Sequence, residues 1–595
     1  MSEGLSANYD FGDFRVDTAK RILLRAGEQV PLTPKVFDTL LLLITRKGQV
    51  LDKQELMATI WPDTAVEENN LNQNISVLRR IFGETRGENR FIATVPGKGY
   101  CFTAEVRTLK VAAAEEAAAH IKIGVLPFEN LGAGPEREYL ADGLTEETIA
   151  AIGQIDPDHF SVIGRTSVMA YKKTTRSLAE IGRELDASYL IESSLRAEGG
   201  HLRITSKLIR VRDQLITWSA TYDSEPSSLL GFQRELGHAI AEQVRLRLSP
   251  ARLNALAHRQ TQNAEAYDLY LRGRYFWNQF APAATRKSIE YFTRATELDP
   301  DYALAWCGLA DALCSSPVSG DTSAIGLLPR AREAAHNAVR SDPGLAEAQT
   351  TMGFFQFWLG WDWAAAEATY LRAIALDSNY AFAHRMRGIL LSHLCRHEEA
   401  IAAIRRAREL DPLSAMNRAL SSQIAFAGRD LTAALQFARE AVIIDPDFWI
   451  GHFQLAQAYV DLEDYDRALE SLTQANRFSA GNSKALSLRG YLFARTNKSS
   501  EAEDTLQTLE SISRERFVPP YAIALIHNGL GHDELALDWL DRALDAHDVH
   551  LVFLTIDPKW DSLRRETRFV NLIKRCGFAA TIGWQQSSLP GHEPR

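Results

Sequence analysis

Asp-Pro dipeptides recur at Asp299-Pro300, Asp342-Pro343, Asp411-Pro412 and Asp445-Pro446, with Asp377-Ser378 filling the gap. Successive intervals are 43, 35, 34 and 34 residues, the first stretched by C-S-S-P-V-S-G-D-T-S. A period near 34 is that of a helix–turn–helix unit, which cannot bury its apolar face alone and must stack on copies of itself. Small residues recur in step where paired helices approach: Gly388, Ala400 and Ala407 precede Pro412, and Ala456, Ala468 and Ala475 precede Ala480 at the same offsets. Residues 260–550 are therefore committed to an all-α solenoid. Six repeats are clear up to Ala480 and about two more are degenerate, running to Asp548. A final helix between Trp560 and Cys576 is expected as a cap, within residues 551–580.

At 595 residues the chain is too long for one core. Hydrophobic and charged fractions of 46% and 24% are those of a soluble globular protein. The longest aliphatic cluster, Leu40 to Ile44, falls far short of the roughly 18 residues of a membrane span. The start, M-S-E-G-L-S, has neither a basic nor an apolar stretch, so no secretory signal is expected. Five cysteines without C-x-x-C spacing read as reduced thiols, and the expected location is the cytoplasm of a bacterium. A net charge of −10 excludes coating of nucleic acid by bulk charge. Residues 1–105 carry 13 Lys and Arg against 14 Asp and Glu, so any DNA binding must come from a local arrangement.

Such an arrangement exists in residues 67–82, E-E-N-N-L-N-Q-N-I-S-V-L-R-R-I-F. Leu71, Ile75, Leu78 and Phe82 make one apolar stripe at helical spacing. The opposite face presents Asn69, Gln73, Ser76, Val77 and Arg80, with no carboxylate after Glu68. Amides can bond adenine edges bidentately, and arginines suit phosphate or guanine. Upstream, β-type runs at 14–16 and 21–25 precede Thr33-Pro34, an N-cap followed by proline. Phe37, Leu40, Leu41 and Ile44 give a first helical stripe. A second helix opens at Asp52, buries Leu56 and Ile60, and stops at Trp61-Pro62. Downstream, runs at 91–95 and 100–102 flank Pro96-Gly97-Lys98-Gly99, a hairpin with Lys98 at its tip. Three helices followed by a hairpin make a winged helix-turn-helix of α+β class over residues 1–106.

The stretches L-T-P-K-V-F-D-T-L-L-L-L, V-L-D-K-Q-E-L, W-P-D, N-I-S-V-L-R-R-I-F-G and T-V-P-G-K-G-Y-C-F resemble the OmpR/PhoB-type winged helix. The resemblance implies that the third helix enters the major groove and the wing the adjacent minor groove. Asn69, Gln73 and Val77 would then face base edges, Asn74 and Arg79 would touch phosphates, and Lys98 would sit at the wing. Arg80 is added by the helical wheel alone. Residues 62–66 occupy the place of the family's RNA polymerase contact. About ten residues precede the domain, so no phospho-receiver is expected ahead of it. In this the chain resembles the HilA, CadC and ToxR-like branch, whose DNA-binding module comes first. The place of that branch's membrane helix, V-A-A-A-E-E-A-A-A-H within the linker 107–120, is too short and too acidic to span.

Residues 121–250 alternate between the two element types. Strands are expected at 121–127, 160–163, 189–196, 202–210 and 216–222, with helices at 139–151, 178–185 and 228–248, an α/β sandwich. V-L-P-F-E-N, Y-L-A-D-G-L-T-E-E, V-I-G-R-T-S and L-I-T-W-S-A-T-Y-D resemble the TolB amino-terminal-like domain. Gly132-Ala-Gly134-Pro lacks the G-K-[ST] of a phosphate loop, and Asp142, Glu146 and Glu147 gather where a helix dipole favours acids. No catalytic constellation is expected.

L-E-D-Y-D-R-A-L-E-S-L-T-Q-A resembles the second helix of a tetratricopeptide repeat. That family implies a concave surface for protein segments or small ligands, and places Phe354, Phe357 and Trp358 along it, near Arg385 and His393. The same aromatics would serve equally to pack one repeat on the next. His393 and His397 stand one turn apart, but H-E-E-A is no zinc motif, and neither a metal nor a cofactor is expected.

The chain thus reads as a DNA-binding transcriptional regulator, with activation the expected sign. Its winged helix would read promoter DNA, as a possible homodimer, and its later domains would take a protein or small-ligand effector. The alternative is a repeat scaffold whose winged helix binds no DNA. An enzyme is disfavoured, because no cyclase-like domain precedes the TolB-like and repeat regions.

Overall fold

The computed structural model describes residues 7–18, 22–25, 28–30, 32–61, 68–84, 88–110, 121–132, 138–153, 160–198, 201–224 and 261–578. They divide into two units, Met1–Ala119 and His120–Arg595.

In the first unit, strands β1 (Ala7–Phe11), β2 (Phe14–Asp17), β3 (Ile22–Arg25) and β4 (Glu28–Val30) form an antiparallel meander. Helix α1 (Pro34–Thr45) follows, then β5 (Val50–Asp52) and α2 (Lys53–Ile60). Helix α3 is Glu68–Phe82, and β6 (Ile92–Val95), β7 (Gly99–Phe102) and β8 (Arg107–Lys110) close the unit. The sheet orders are β4-β3-β2-β1-β8 and β5-β7-β6. Thr33 precedes α1 in extended backbone, but its side chain makes no capping bond and Pro34 alone starts the helix. Asp52 caps α2, accepting from Gln54 N at 2.8 Å. The α3 stripe of Leu71, Ile75, Leu78 and Phe82 is buried against α1 and α2. Its last ring joins an aromatic cluster with Phe11, Phe14 and Phe91, at centroid distances of 5.1 to 5.4 Å. The amino-terminal sheet thereby holds the end of α3 in place.

The second unit begins with β9 (Ile121–Val125), β10 (Glu129–Asn130), helix α4 (Glu138–Gly153), β11 (Phe160–Val162), and helices α5 (Arg165–Met169) and α6 (Leu178–Glu184). The long strands β12 (Tyr189–Glu198), β13 (His201–Arg210) and β14 (Leu215–Ser224) complete it. Strand β9 lies parallel to both β11 and β12, whereas β12, β13 and β14 form an antiparallel meander. The helix expected at 228–248 lies outside the described residues. Eight antiparallel helix pairs follow, from Ala264–Trp277 with Pro282–Leu298 to Pro520–Gly529 with Asp533–Asp545. Small residues admit rings from paired helices: a Cβ on Gly273 or Gly308 would stand 2.5 Å from Phe292, and one on Gly353 2.5 Å from Tyr370.

The α/β layer and the repeats share one hydrophobic core. Helix α4 lies along Ala264–Trp277, with Gly143 against Leu271, and Glu146 is paired with Arg274 and with Arg165 at 3.3 Å. A second contact lies four repeats in. Gly164 N donates to Leu410 O at 2.7 Å, and Ser167 donates from its backbone to Asp411 at 2.8 Å and also from its hydroxyl. Leu413 N donates back to Ser167 Oγ at 2.8 Å.

The carboxy-terminal end differs from the single capping helix expected. Val549–Thr555 and Pro558–Leu563 are 3₁₀ segments, and only Thr567–Arg575 is α-helical. The 3₁₀ run folds back inside the array instead of covering its end. Thr555 Oγ1 donates to His393 O at 3.0 Å, and Asn528 Nδ2 donates to Lys559 O at 2.6 Å. The cause is chemical: Val549, Leu551, Val552, Leu554 and Ile556 are all buried and too closely spaced to share one face, and Asp548, Asp557 and Lys559 among them are held by hydrogen bonds, so the run fills an interior instead of covering an end.

Acids are buried where α4 meets the first repeats. Burial, with the charges of Glu146 and Glu347, pushes Glu147 up to about 8. Burial likewise pushes Asp311 and Glu347 up to about 7. Held protonated in the fold, these groups ionise in the unfolded chain near their ordinary values of 3.8 and 4.5. Their contribution is complete below those values and is lost as pH rises through 7 to 8. The second unit is therefore expected to melt at a lower temperature at pH 8.5 than at pH 6. Calorimetry of Glu147→Gln should show a smaller difference between the two pH values.

Candidate nucleic-acid interface

Half of α3 faces away from the core. Asn69, Asn70, Gln73, Ser76 and Arg80 are exposed and Val77 is partly so. Glu68, the carboxylate at the start of this face, is paired with Lys53, whose pKa is raised chiefly by that hydrogen bond. The remaining exposed face of α3 is amides, a hydroxyl and arginine.

Three sets of hydrogen bonds fasten this helix to the wing. Arg79 Nη2 donates to Ile92 O and to Thr94 Oγ1, both at 2.8 Å. Tyr100 OH donates to Asn72 Oδ1 at 2.7 Å. The buried carboxylate of Glu84, just past the helix, accepts from Phe91 N at 3.0 Å and Ile92 N at 3.1 Å. Helix and hairpin are thereby joined through Arg79, Asn72 and Glu84. Lys98 is exposed in the turn between β6 and β7, where Gly97 adopts φ +71° and Lys98 N closes onto Val95 O at 3.0 Å. Gly99 cannot carry a side chain, since a Cβ there would stand 1.9 Å from Leu51 O across the β5–β7 pair.

Of the two residues expected at phosphates, Asn74 is used otherwise and Arg79 is engaged in part. Asn74 is buried, and its Nδ2 donates to Lys35 O at 3.2 Å and Thr39 Oγ1 at 2.9 Å. Its amide joins α3 to α1 and is turned away from solvent, which corrects the phosphate role. Arg79 spends one nitrogen on the wing and remains partly exposed. Asn72, Tyr100, Thr94 and Glu84 gave no signal in the sequence, because each works through a partner distant along the chain. Replacing Asn74 by Ala should cost the first domain about 1–3 kcal/mol, read by urea unfolding, while leaving the DNA affinity of the folded protein unchanged. Residues 62–66, the expected RNA polymerase contact, lie outside the described residues.

On the repeat array, Phe357, Trp358 and His393 are buried and packed on one another, with centroids 4.7 to 6.4 Å apart. Phe553 of the folded-back segment lies 5.1 Å from His393, whose Nδ1 is 2.9 Å from Val552 O. Burial depresses His393 to about 4, so its ring is neutral. Phe354 packs on Phe382 at 5.8 Å, and Arg385 lies over that same ring at 4.7 Å. The chain itself thus fills the space beside Phe357, Trp358 and His393.

A winged helix with an amide-rich outer face is followed in the same chain by stacked helix pairs. The family model described as "Transcriptional regulatory protein, C terminal" matches residues 27–102, and a tetratricopeptide repeat model matches 394–447 and 453–515. The likeness to transcriptional regulators of the OmpR/PhoB type thus lies in the first domain, and that to tetratricopeptide repeats in the helical array. It is 24% identical over 402 residues to transcriptional regulator HilA of Salmonella typhimurium, covering 66% of this chain and 69% of that one. A putative adenylate cyclase 3 of Rhizobium meliloti is 31% identical over 188 residues, 32% of each chain. The DNA-binding domain of E. coli CadC is 26% identical and covered in full by 18% of this chain, with a TM-score of 0.16. Among the described residues no helix is long and apolar enough to cross a membrane.

Proposed function

We propose that the exposed face of α3 reads promoter DNA, with Asn69, Gln73 and Val77 toward base edges. Arg80, the free nitrogens of Arg79 and the wing's Lys98 neutralise phosphates. The observation that carries this reading is the fastening of α3 to the wing by Arg79, Asn72 and Glu84, which presents both contacts in a fixed relation. Base contacts of this kind specify, and phosphate contacts position. The near-neutral first domain predicts weak non-specific affinity, which pairing of two copies on DNA would offset.

The carboxy-terminal unit is the regulatory half in this reading, taking an effector or a protein partner. The TolB-like resemblance of residues 121–250 supports such a role, as does their joint core with the repeats. Activation is the proposed sign, in keeping with the 31% identity over 90 residues to the transcriptional activator CadC of Escherichia coli. In vitro transcription from a promoter fragment that the protein protects from cleavage tests it. Transcript rising with added protein supports activation, and transcript falling makes the protein a repressor.

A further inference from the structure

Inside repeats five to eight, the folded-back carboxy-terminal segment leaves a cavity of about 50 Å³ for the centres of water-sized spheres. A water needs roughly 10–15 Å³ on that measure, so the space holds a molecule of about four heavy atoms or slightly more. Its wall carries the ammonium of Lys484, set 5.4 Å from the Phe453 ring and 4.7 Å from the Phe553 ring.

Among the described residues no carboxylate pairs with Lys484, and the two nearest acids are already engaged. Asp548 accepts from Tyr521 N at 3.0 Å, His550 N at 3.0 Å and His550 Nδ1 at 2.8 Å. Asp557 accepts from Lys559 N at 3.0 Å and Lys559 Nζ at 2.9 Å. Gln454, on the same wall and 3% exposed, has an amide oxygen with no hydrogen-bond partner among the described residues. A cation with no carboxylate in contact and a buried acceptor without a donor are both costly to leave so. One small molecule satisfies both if it carries an anion for Lys484 and a hydroxyl or amine for Gln454.

We infer that this cavity binds a small hydroxy- or amino-carboxylate, its carboxylate on Lys484 and its hydroxyl or amine on Gln454. The phenyl rings of Phe453 and Phe553 exclude water and strengthen the ion pair. Burial holds Lys484 down at about 8, and an anion beside it would raise that value. The inference rests on the reading of the repeats as the regulatory half, since it supplies that half with a ligand.

The test is calorimetric titration of the full-length protein with glycolate, lactate and glycine, and with the neutral glycolamide as control. The expected result is saturable binding of at least one carboxylate, none of glycolamide, and a loss of at least about tenfold in affinity in Lys484→Met. Gln454→Leu should weaken glycolate and leave acetate unchanged. Should Lys484→Met fail to fold, ¹³C-dimethylation of the wild-type lysines gives a second readout. Glycolate must then raise the pKa of the Lys484 methyl signal. No carboxylate binding to the wild type, or equal binding by Lys484→Met, overturns the site. DNA affinity measured in parallel separates the two ideas. Carboxylate binding that leaves DNA affinity unchanged keeps the site and removes its regulatory role.

Discussion

Gln73→Ala is expected to weaken binding to a selected DNA site about fivefold to a hundredfold, with no loss of fold. A bidentate amide–adenine contact carries roughly 1–3 kcal/mol of discrimination, and tenfold in affinity is about 1.4 kcal/mol. Gln73 is exposed, and among the described residues no hydrogen bond holds its side chain. The penalty should therefore appear against the selected site and vanish against unrelated duplex. Arg80→Ala should behave differently. Losing one phosphate contact lowers affinity for every sequence and reduces the slope of log affinity against log salt by about 0.9. Fluorescence anisotropy at four salt concentrations, with both variants and both duplexes, separates base reading from phosphate positioning. Equal losses on both duplexes for Gln73→Ala would remove it from the base edges.

Gly164→Val should detach the α/β layer from the fourth repeat. A Cβ at this position would stand 2.6 Å from both Cβ and Cγ of Asp411, close to the backbone of an inter-helix turn and too near for a rotamer change to relieve. The displaced layer would lose the Gly164–Leu410 bond and leave the buried Asp411 without the Ser167 donors. An unsatisfied buried charged group costs several kcal/mol, so the loss should exceed that of an ordinary core truncation. Scanning calorimetry should resolve two transitions where the wild-type second unit gives one. Asp411→Ala should act in the same direction and less strongly, because it removes the acceptor without adding volume. A single transition at the wild-type temperature in Gly164→Val would show that the two parts are stabilised independently.

Periodicity makes much of this fold legible in the amino-acid sequence. The α3 stripe of Leu71, Ile75, Leu78 and Phe82 and the 34-residue spacing of Asp-Pro turns each impose a geometry that no partner needs to supply. The exposed face of α3 follows from the same wheel. Features that depend on distant partners are not legible in this way. Strands β1 and β8 pair Tyr9 with Thr108 across the whole domain, and neither run announces its mate. The family resemblance puts Asn74 at a phosphate, and nothing local reveals that Thr39, on another helix, accepts its proton instead. Ser167 and Asp411, 244 residues apart, meet only after the repeats have curved. The folded-back 3₁₀ segment has no period at all, so its own residues do not disclose its destination inside the array.

The central claim is that the first domain binds specific DNA and that the rest of the chain governs it. Its most direct test is selection of genomic fragments by the purified full-length protein across a salt series, beside residues 1–108 alone. The expected result is enrichment of a few fragments sharing one motif, affinity that falls with salt, and loss of enrichment in Gln73→Ala. No enrichment by either the full-length protein or residues 1–108 would contradict it.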